Sequence, residues 1–96
     1  MNSDNSQMFV ADTDNHAIRA IDMDSLRVTT ITGGKDKEGF EDGNLATAQW
    51  RHPTGLSYDE NNEMLYVADH YNHAIRSIDF RTGDIKTLVG QSDKSR

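Results

Sequence analysis

The sequence contains no cysteine and a single proline among its 96 residues. The lack of cysteine excludes disulfide crosslinks, thiolate zinc sites and thiol catalysis, and it fits a reducing compartment such as the cytoplasm. No apolar run approaches the roughly 18–20 residues that a membrane helix needs. The first residues, MNSDNSQ, lack the basic and apolar regions of a signal peptide. We therefore expect neither a membrane span nor a secretory leader.

Positive charge and helical periodicity are also scarce. Ten basic residues against sixteen acidic ones give a net charge of −6, so nucleic acid and anionic membranes are unlikely partners on average. No long segment keeps its apolar residues at helical spacing. Apolar residues make up only 34% of the chain, which is little for a chain that must bury its own core.

The chain repeats itself. VADTDNHAIRAID, at residues 10–22, returns as VADHYNHAIRSID at residues 67–79, and the match continues without a gap to Gly33 and Gly90. About half of the matched positions are identical. Repeats with periods of about 40–50 residues are typical of propeller blades and solenoids. The repeat therefore predicts the architecture, and it favours a structural role for the residues that recur.

Short strands bounded by turn residues are predicted in both copies. The first copy gives Met8–Asp12, Ala17–Asp22 and Val28–Thr32, and the second gives Thr54–Tyr58, Met64–Asp69, Ala74–Phe80 and Ile85–Val89. The predicted fold class is all-β: a β-propeller segment of about two four-stranded antiparallel blades, the first without its opening strand. Leu26 stands where the second copy has the turn residue Gly83, so that turn must differ or carry strain.

The repeat divides the chain into four parts. They are a partial blade at residues 1–33, an inter-blade loop at 34–52, a complete blade at 53–90 and a tail at 91–96. Two blades leave two outer faces uncovered, each larger than a soluble monomer usually exposes. We therefore expect either self-association or the remaining blades of a longer chain.

The second copy resembles the NHL repeat. Its pattern P-T-G-L, L-Y-V-A-D-x-x-N-H-A-I-R-x-I-D and T-L-V-G spans Pro53–Gly90, and Met8–Gly33 matches it without the opening strand. The segment Gly39–Pro53 resembles the inter-blade segment of NHL proteins that carry a thioredoxin-like domain, although this sequence has no Cys-x-x-Cys. The resemblance implies a six-bladed or similar propeller. It also implies a shared face for the turns Thr13–His16 and His70–His73 and the loop Gly34–Gln49, where propellers usually meet partners.

The residues that recur in both copies are interpreted as structural. Asp and Asn side chains at turns bond to nearby backbone groups and fix hairpins. Antiparallel pairing across each turn places Asp12 diagonal to Arg19, and Asp69 diagonal to Arg76, which predicts a repeated, partly buried ion pair. The recurring set is Asp12, Asn15, His16, Arg19, Asp22, Asp69, Asn72, His73, Arg76 and Asp79.

Residues that differ between the matched turns are candidates for partner contacts. His70 and Tyr71 replace Thr13 and Asp14 of the first copy, so the repeat itself does not require them. Trp50 either fills the wedge between the blades or is exposed at the rim as an anchor for a partner. The candidate partner-binding residues are His70, Tyr71, Asp14 and Trp50, followed by the loop Lys35–Glu41.

Four histidines raise the question of a metal site. Some NHL-like propellers are zinc-dependent lyases, in which a zinc histidine follows the proline of the opening strand. In this sequence Thr54 follows Pro53, and His52 precedes it. The acidic turns also lack the spacing of calcium loops. We therefore predict no metal, no cofactor and no catalytic residue, and interpret the chain as a non-catalytic scaffold for protein binding. The alternative is a fragment of a propeller enzyme, a metal-dependent lyase or hydrolase.

Overall fold

The computed structural model describes residues 7–90, which form eight β-strands. They are β1 (Gln7–Asp12), β2 (Ala17–Asp22), β3 (Arg27–Gly33), β4 (Gly43–Asn44), β5 (Pro53–Asp59), β6 (Met64–Asp69), β7 (Ala74–Asp79) and β8 (Asp84–Val89). Single-turn 3-10 helices lie at Thr13–Asn15, Lys35–Lys37 and His70–Asn72. None of the helices in this range is long and apolar enough to cross a membrane. The predicted tail at 91–96 lies outside the described residues.

The predicted fold class is confirmed, because the strands form two antiparallel sheets with consecutive strands side by side. The first sheet has the order β1-β2-β3, and the second has the order β4-β8-β7-β6-β5. Every strand predicted from the sequence is present, with its ends shifted by no more than one residue. Within residues 7–33 the first blade has the three strands β1, β2 and β3.

The short strand β4 was not predicted. Gly43 and Asn44 lie in the segment interpreted as an inter-blade loop, and they pair with Ile85 and Asp84 at the outer edge of β8. A strand of two residues is too short for an alternation of apolar and polar residues to be visible in the sequence. The second sheet therefore has five strands, and the segment between the blades supplies one of them.

The same turn joins the second and third strands of the repeat in both copies. Each ends in a histidine with a left-handed backbone, His16 at φ 55° and His73 at φ 53°. The His16 N–H donates to the Thr13 carbonyl at 3.2 Å, and the His73 N–H donates to the His70 carbonyl at 3.1 Å. Left-handed backbone is uncommon outside glycine, but His and Asn adopt it more readily than most residues. The left-handed backbone at the end of this turn therefore explains why a histidine recurs at this position in both copies.

Leu26 adopts the backbone of the glycine that it replaces. Its φ is 61°, compared with 82° for Gly83. The Leu26 N–H donates to the Asp22 carbonyl at 2.6 Å, and the Gly83 N–H donates to the Asp79 carbonyl at 2.7 Å. Of the two predicted outcomes, a different turn or a strained one, the structure has the strained one, since a left-handed residue with a side chain costs roughly 1–2 kcal/mol.

The core lies between the two sheets and is shared by both blades. Its fully buried members come from β2, the inter-blade segment and strands β6 to β8: Ile18, Ala48, Trp50, Leu65, Val67, Ile78 and Ile85. Phe9 of the first blade extends the core by packing on Tyr58 and Phe80, with ring centroids 5.1 Å and 5.5 Å apart. Each blade therefore buries its apolar side chains against the other, because one sheet alone cannot cover them.

The two outer faces are open, as expected for an isolated pair of blades. Ile18 is completely buried, whereas its repeat equivalent Ile75 is 40% exposed. On the opposite side Leu65 is 1% exposed and its equivalent Met8 is 49% exposed. Because equivalent residues have equivalent positions in their sheets, these differences reflect the presence or absence of a neighbouring blade.

Candidate binding face

The second copy contains a buried ion pair that organises the end of its hairpin. Arg76 Nη1 lies 2.7 Å from the Asp69 carboxylate, and neither side chain is exposed. Asn72 Nδ2 donates to the same carboxylate at 2.7 Å. The Arg51 N–H donates to its other oxygen at 2.8 Å. This buried carboxylate thus accepts hydrogen bonds from three donors, which fix the turn His70–Asn72 in place.

The inter-blade segment covers the Arg76 side chain on its remaining sides. The guanidinium donates to the carbonyls of Gln49 at 2.5 Å and Glu41 at 2.6 Å. Its second nitrogen also donates to Asp42 at 2.9 Å. The Trp50 ring lies 4.3 Å from the guanidinium carbon, which is cation–π distance. Arg76 therefore connects the second blade to the segment that precedes it.

The first copy has the same ion pair in a more exposed form. Arg19 Nε lies 2.6 Å from the Asp12 carboxylate, and each side chain is about 30% exposed. Asn15 Nδ2 donates to Asp12 at 3.0 Å. The Asn15 hydrogen bond, and then the Arg19 guanidinium, hold the pKa of Asp12 below its ordinary value. The predicted diagonal pairs are thus present in both hairpins, with very different burial.

The other recurring aspartates fix turns at the opposite end of the blades. Asp22 Oδ1 accepts the Asp24 N–H at 2.9 Å, and Asp79 Oδ1 accepts the Arg81 N–H at 2.9 Å. Asp59, which the sequence analysis did not single out, accepts the Asn61 N–H at 3.1 Å in the same way. Three hairpins therefore use one device, an aspartate that caps its own turn.

A row of aromatic rings crosses from the first blade to the second at the predicted face. The His52 ring packs edge-on against His16, with centroids 4.7 Å apart, and lies tilted by 32° against Tyr71, with centroids 4.1 Å apart. His70 lies beside Tyr71 at 5.2 Å. The backbone N–H of His52 donates to His16 Nδ1 at 3.1 Å. His52 belongs to this row of rings, but the sequence alone singled it out only as the residue that precedes Pro53.

Charged residues border this row on the inter-blade side. Glu38 lies 3.6 Å from His16 Nε2 and 3.4 Å from Arg51 Nε. These contacts join the first blade, the loop and the start of the second blade. They could not be found from repeat matching, because neither Glu38 nor Arg51 has a counterpart within the first copy.

The four candidate partner residues have different positions. Tyr71 is 54% exposed, and His70 and Asp14 are also exposed. Trp50 is completely buried, with Nε1 donating to the Thr32 hydroxyl at 3.2 Å. Trp50 is therefore not a partner contact, because its ring fills the wedge between the blades and is completely buried.

Three of the four histidines, His16, His52 and His70, lie in this row of rings. His73, the repeat equivalent of His16, is exposed beyond the second blade. Among residues 7–90 no group of three or more His, Asp or Glu side chains is arranged to hold a metal ion. The residues gathered on this face present rings and hydrogen-bonding edges, which suit contacts with another macromolecule.

Comparison with known proteins gives relatives but no matching family model. The chain is 37% identical over 90 residues to "Protein SUPPRESSOR OF QUENCHING 1, chloroplastic" of Arabidopsis thaliana, covering 94% of this chain and 8% of that protein. It is 34% identical over 94 residues to "NHL repeat-containing protein 2" of Homo sapiens, covering 92% of this chain and 13% of that protein. The Gallus gallus protein of the same name is 33% identical over 94 residues, with the same two coverages.

The fold has a counterpart among solved structures. A structural genomics protein of unknown function from Bacteroides thetaiotaomicron aligns with a TM-score of 0.82 and 23% identity, over 91% of this chain and 22% of that chain. At this identity the likeness shows the fold alone. The chain spans between 8% and 13% of the length of the curated relatives named above. Its repeat pattern, its blade architecture and these relatives together show that the chain belongs to the NHL repeat family of β-propeller proteins.

Proposed function

We propose that the two blades act as a non-catalytic scaffold that binds a protein partner through the face carrying Asp14, His70 and Tyr71. The proposal rests on His70 and Tyr71, which are exposed on a turn that hydrogen bonds hold in place. The turn's own Asn72 is completely buried and bonds to Asp69. An aromatic side chain presented on an ordered turn loses little entropy on binding, which favours its use as an anchor.

Backbone contacts to the inter-blade segment support the same assignment. The His70 N–H donates to the His52 carbonyl at 3.3 Å, and the Tyr71 N–H donates to the Arg51 carbonyl at 3.1 Å. Both side chains remain exposed, although the Tyr71 ring also packs on His52. The net charge of −6 makes a protein a better partner than a nucleic acid. We further propose that these blades belong to a larger propeller, of six or a similar number of blades.

A swap between the copies tests the proposed face. His70→Thr together with Tyr71→Asp gives the second turn the residues of the first, whose fold accepts them. A photo-crosslinking amino acid placed in source cells at the exposed Thr54, beside His70, would identify a bound protein, and purified partner and scaffold would then be titrated by calorimetry. The swapped variant should bind about tenfold more weakly or worse.

Lys86→Ala supplies the matched control, because Lys86 is exposed on β8, away from the turn. It should bind the partner as the unchanged protein does. Equal binding by the swapped variant, with its circular dichroism spectrum unchanged, would rule out this face as the contact surface.

A further inference from the structure

A cavity of about 420 Å³ lies between the two blades. Its walls come from one face of the first blade, from Leu45 of the inter-blade segment, and from Glu63 and Phe80 of the second blade. Glu63 precedes β6 and Phe80 follows β7, so the cavity lies toward the end of the blades opposite to the turn His70–Asn72. Its volume is within the range of roughly 300–1,000 Å³ that is typical of ligand sites. Because both blades line it, the cavity belongs to neither of the two outer faces.

A row of three side chains across the first sheet forms one wall of the cavity. Phe9 pairs with Ala20, and Ala20 pairs with Thr29. The side chains of directly paired residues lie on the same face of a sheet, and all three residues line the cavity. The Phe9 ring also stacks on Phe80, with centroids 5.5 Å apart and planes inclined by 13°. Because Ala20 has only a methyl group, the row leaves space between the stacked rings and Thr29.

The second copy has a cation in the corresponding row. The residues equivalent to the three in the first sheet are Tyr66, Ser77 and Lys86, and they pair in the same order. An aromatic ring, a small residue and an ammonium group thus share one face of the second sheet. The first copy has the ring and the small residue, but Thr29 stands in place of the lysine. The row of the first blade therefore has room for an ammonium group that its own sequence does not supply.

Glu63 gives the cavity a negative charge. Among residues 7–90 it is the only ionisable residue that lines the cavity, and the ion pairs in that range all use other carboxylates. Burial raises the pKa of Tyr58, and the charges of Glu63 and Glu60 raise it further. The Tyr58 ring lies 5.1 Å from that of Phe9, so the charge of Glu63 acts close to the aromatic cluster. The cavity thus combines a carboxylate and partly exposed aromatic rings, both of which attract an ammonium ion.

We propose that this cavity, here called the Glu63 cavity, binds a lysine side chain of a partner protein. The ammonium group lies between the Glu63 carboxylate and the two phenylalanine rings, and the apolar stem packs on Leu45 and Ile31. The group bound is the one that Lys86 contributes to the row of the second copy. The net charge of −6 favours a basic partner. The inference is independent of the proposed function, because the cavity and the turn His70–Asn72 lie at opposite ends of the blades.

Two short peptides test the chemistry of the site on the unchanged protein. Acetyl-Gly-Lys-Gly-amide and its norleucine counterpart, which keeps the apolar stem and lacks the ammonium group, are each titrated into the 96-residue protein up to about 10 mM. The methyl signals of Leu45 and Ile31 in the NMR spectrum report binding. The lysine peptide should shift these signals in a saturable way, and the norleucine peptide should bind at least about fivefold more weakly. Added salt should weaken only the lysine peptide, because it screens the attraction between the ammonium group and the carboxylate.

Protein variants identify the site. Glu63→Gln should weaken binding of the lysine peptide about fivefold. Glu60→Gln removes the same charge from an exposed position of the same turn, outside the cavity, and should leave binding unchanged within about twofold. Thr29→Lys introduces the residue of the second copy and should abolish binding, because the ammonium group of the protein then occupies the cavity. The variant with His70→Thr and Tyr71→Asp should bind the peptide normally, which separates this proposal from the proposed function.

Four results would overturn the lysine proposal. One is the absence of any shift of the two methyl signals up to about 10 mM lysine peptide. Another is equal binding of the lysine and norleucine peptides, which needs no variant and would show that the cavity has no requirement for charge. Equal effects of Glu63→Gln and Glu60→Gln would mean a general attraction of basic peptides to an acidic protein. Binding of n-butylammonium chloride without binding of the lysine peptide would make a free amine the ligand.

Discussion

Asp42 accepts two hydrogen bonds from Thr87, one from its backbone N–H at 2.9 Å and one from its hydroxyl at 2.9 Å. The two residues are 45 positions apart in the sequence. Together with β4, this contact holds the inter-blade segment against the last strand of the second blade. The segment is therefore part of the blade's sheet rather than a linker between two independent sheets.

Replacing Asp42 by alanine should lower the free energy of unfolding. The variant loses the two bonds from Thr87 and one from Arg76, but the Asp42 side chain is 42% exposed, so water replaces part of the interaction and the loss should be about 1 kcal/mol. Urea denaturation followed by circular dichroism measures it. Asp36→Ala in the same segment, an exposed residue without a side-chain hydrogen bond in residues 7–90, should cause little change. Equal effects of the two substitutions would contradict this role of Asp42.

Arg76→Met and Arg19→Met should differ strongly in their effects on stability. Arg76→Met leaves the Asp69 carboxylate buried without its cation, which should cost about 3 kcal/mol or more. Arg19→Met removes a partly exposed pair and should cost less than about 1 kcal/mol. Chemical denaturation of both variants gives the comparison. Combining Arg76→Met with Asp69→Asn should recover part of the loss, since the buried charge is then gone. Similar losses for Arg76 and Arg19 would mean that burial does not decide the energetics of these pairs.

Leu26→Gly should stabilise the protein by about 0.5 kcal/mol, because glycine adopts positive φ without the penalty that leucine pays and the leucine side chain is mostly exposed. The matched change at the other copy, Gly83→Ala, should destabilise by about 1 kcal/mol. A Cβ at Gly83 would meet nothing nearer than 4.0 Å, so its cost is conformational. Thermal unfolding of both variants measures the effects, and a loss of stability in Leu26→Gly would show that the turn is not strained.

Acid should remove part of the stability that Asp12 contributes. Its folded pKa lies below the ordinary value of 3.8, so its contribution is present above that value and is lost as pH falls through the folded pKa. Asn15→Ala and Arg19→Met should each raise the pKa of Asp12, because the Asn15 hydrogen bond lowers this pKa and Arg19 lowers it through both its hydrogen bond and its charge. NMR titration of the Asp12 carboxyl carbon measures both shifts.

Asp59 provides the internal control for that titration. The Asn62 side chain lowers the pKa of Asp59, as Asn15 lowers that of Asp12. Asn15→Ala should leave the Asp59 titration unchanged, and Asn62→Ala should raise the pKa of Asp59 alone. An Asp12 pKa that neither Asn15→Ala nor Arg19→Met raises would contradict the assigned causes.

The sequence was sufficient for contacts within one hairpin. The turn length fixes the register of the strands, and the register places Asp12 beside Arg19 and Asp69 beside Arg76. Internal repetition gave a second copy of three of the four predicted strand types, which is one reason why their ends agree closely with the structure. The strand ends and the Asp–Arg pairs depend only on the geometry of a single hairpin. Two aligned copies of one hairpin in the same sequence are enough to predict that geometry.

Contacts between the blades could not be predicted in the same way. The His16–His52–Tyr71 row and the bonds of Asp42 depend on how the two sheets pack, and the participating loop residues have no second copy for comparison. The burial of Trp50 belongs to this class too, since its ring is covered by both sheets at once. Sequence reasoning named the alternatives for Trp50, and only the packing decides between them.

The dependence of Arg76 on residues 38–59 has a consequence for how such arrays can be recombined. A module cut at Pro53, where the opening strand begins, would separate Arg76 from Asp42, Trp50 and the strand β4. A module cut at Gly34 keeps them together. A blade together with the connection before it is therefore the unit that can be duplicated, transplanted or lost as a whole. Within this unit the buried arginine keeps its hydrogen-bond partners.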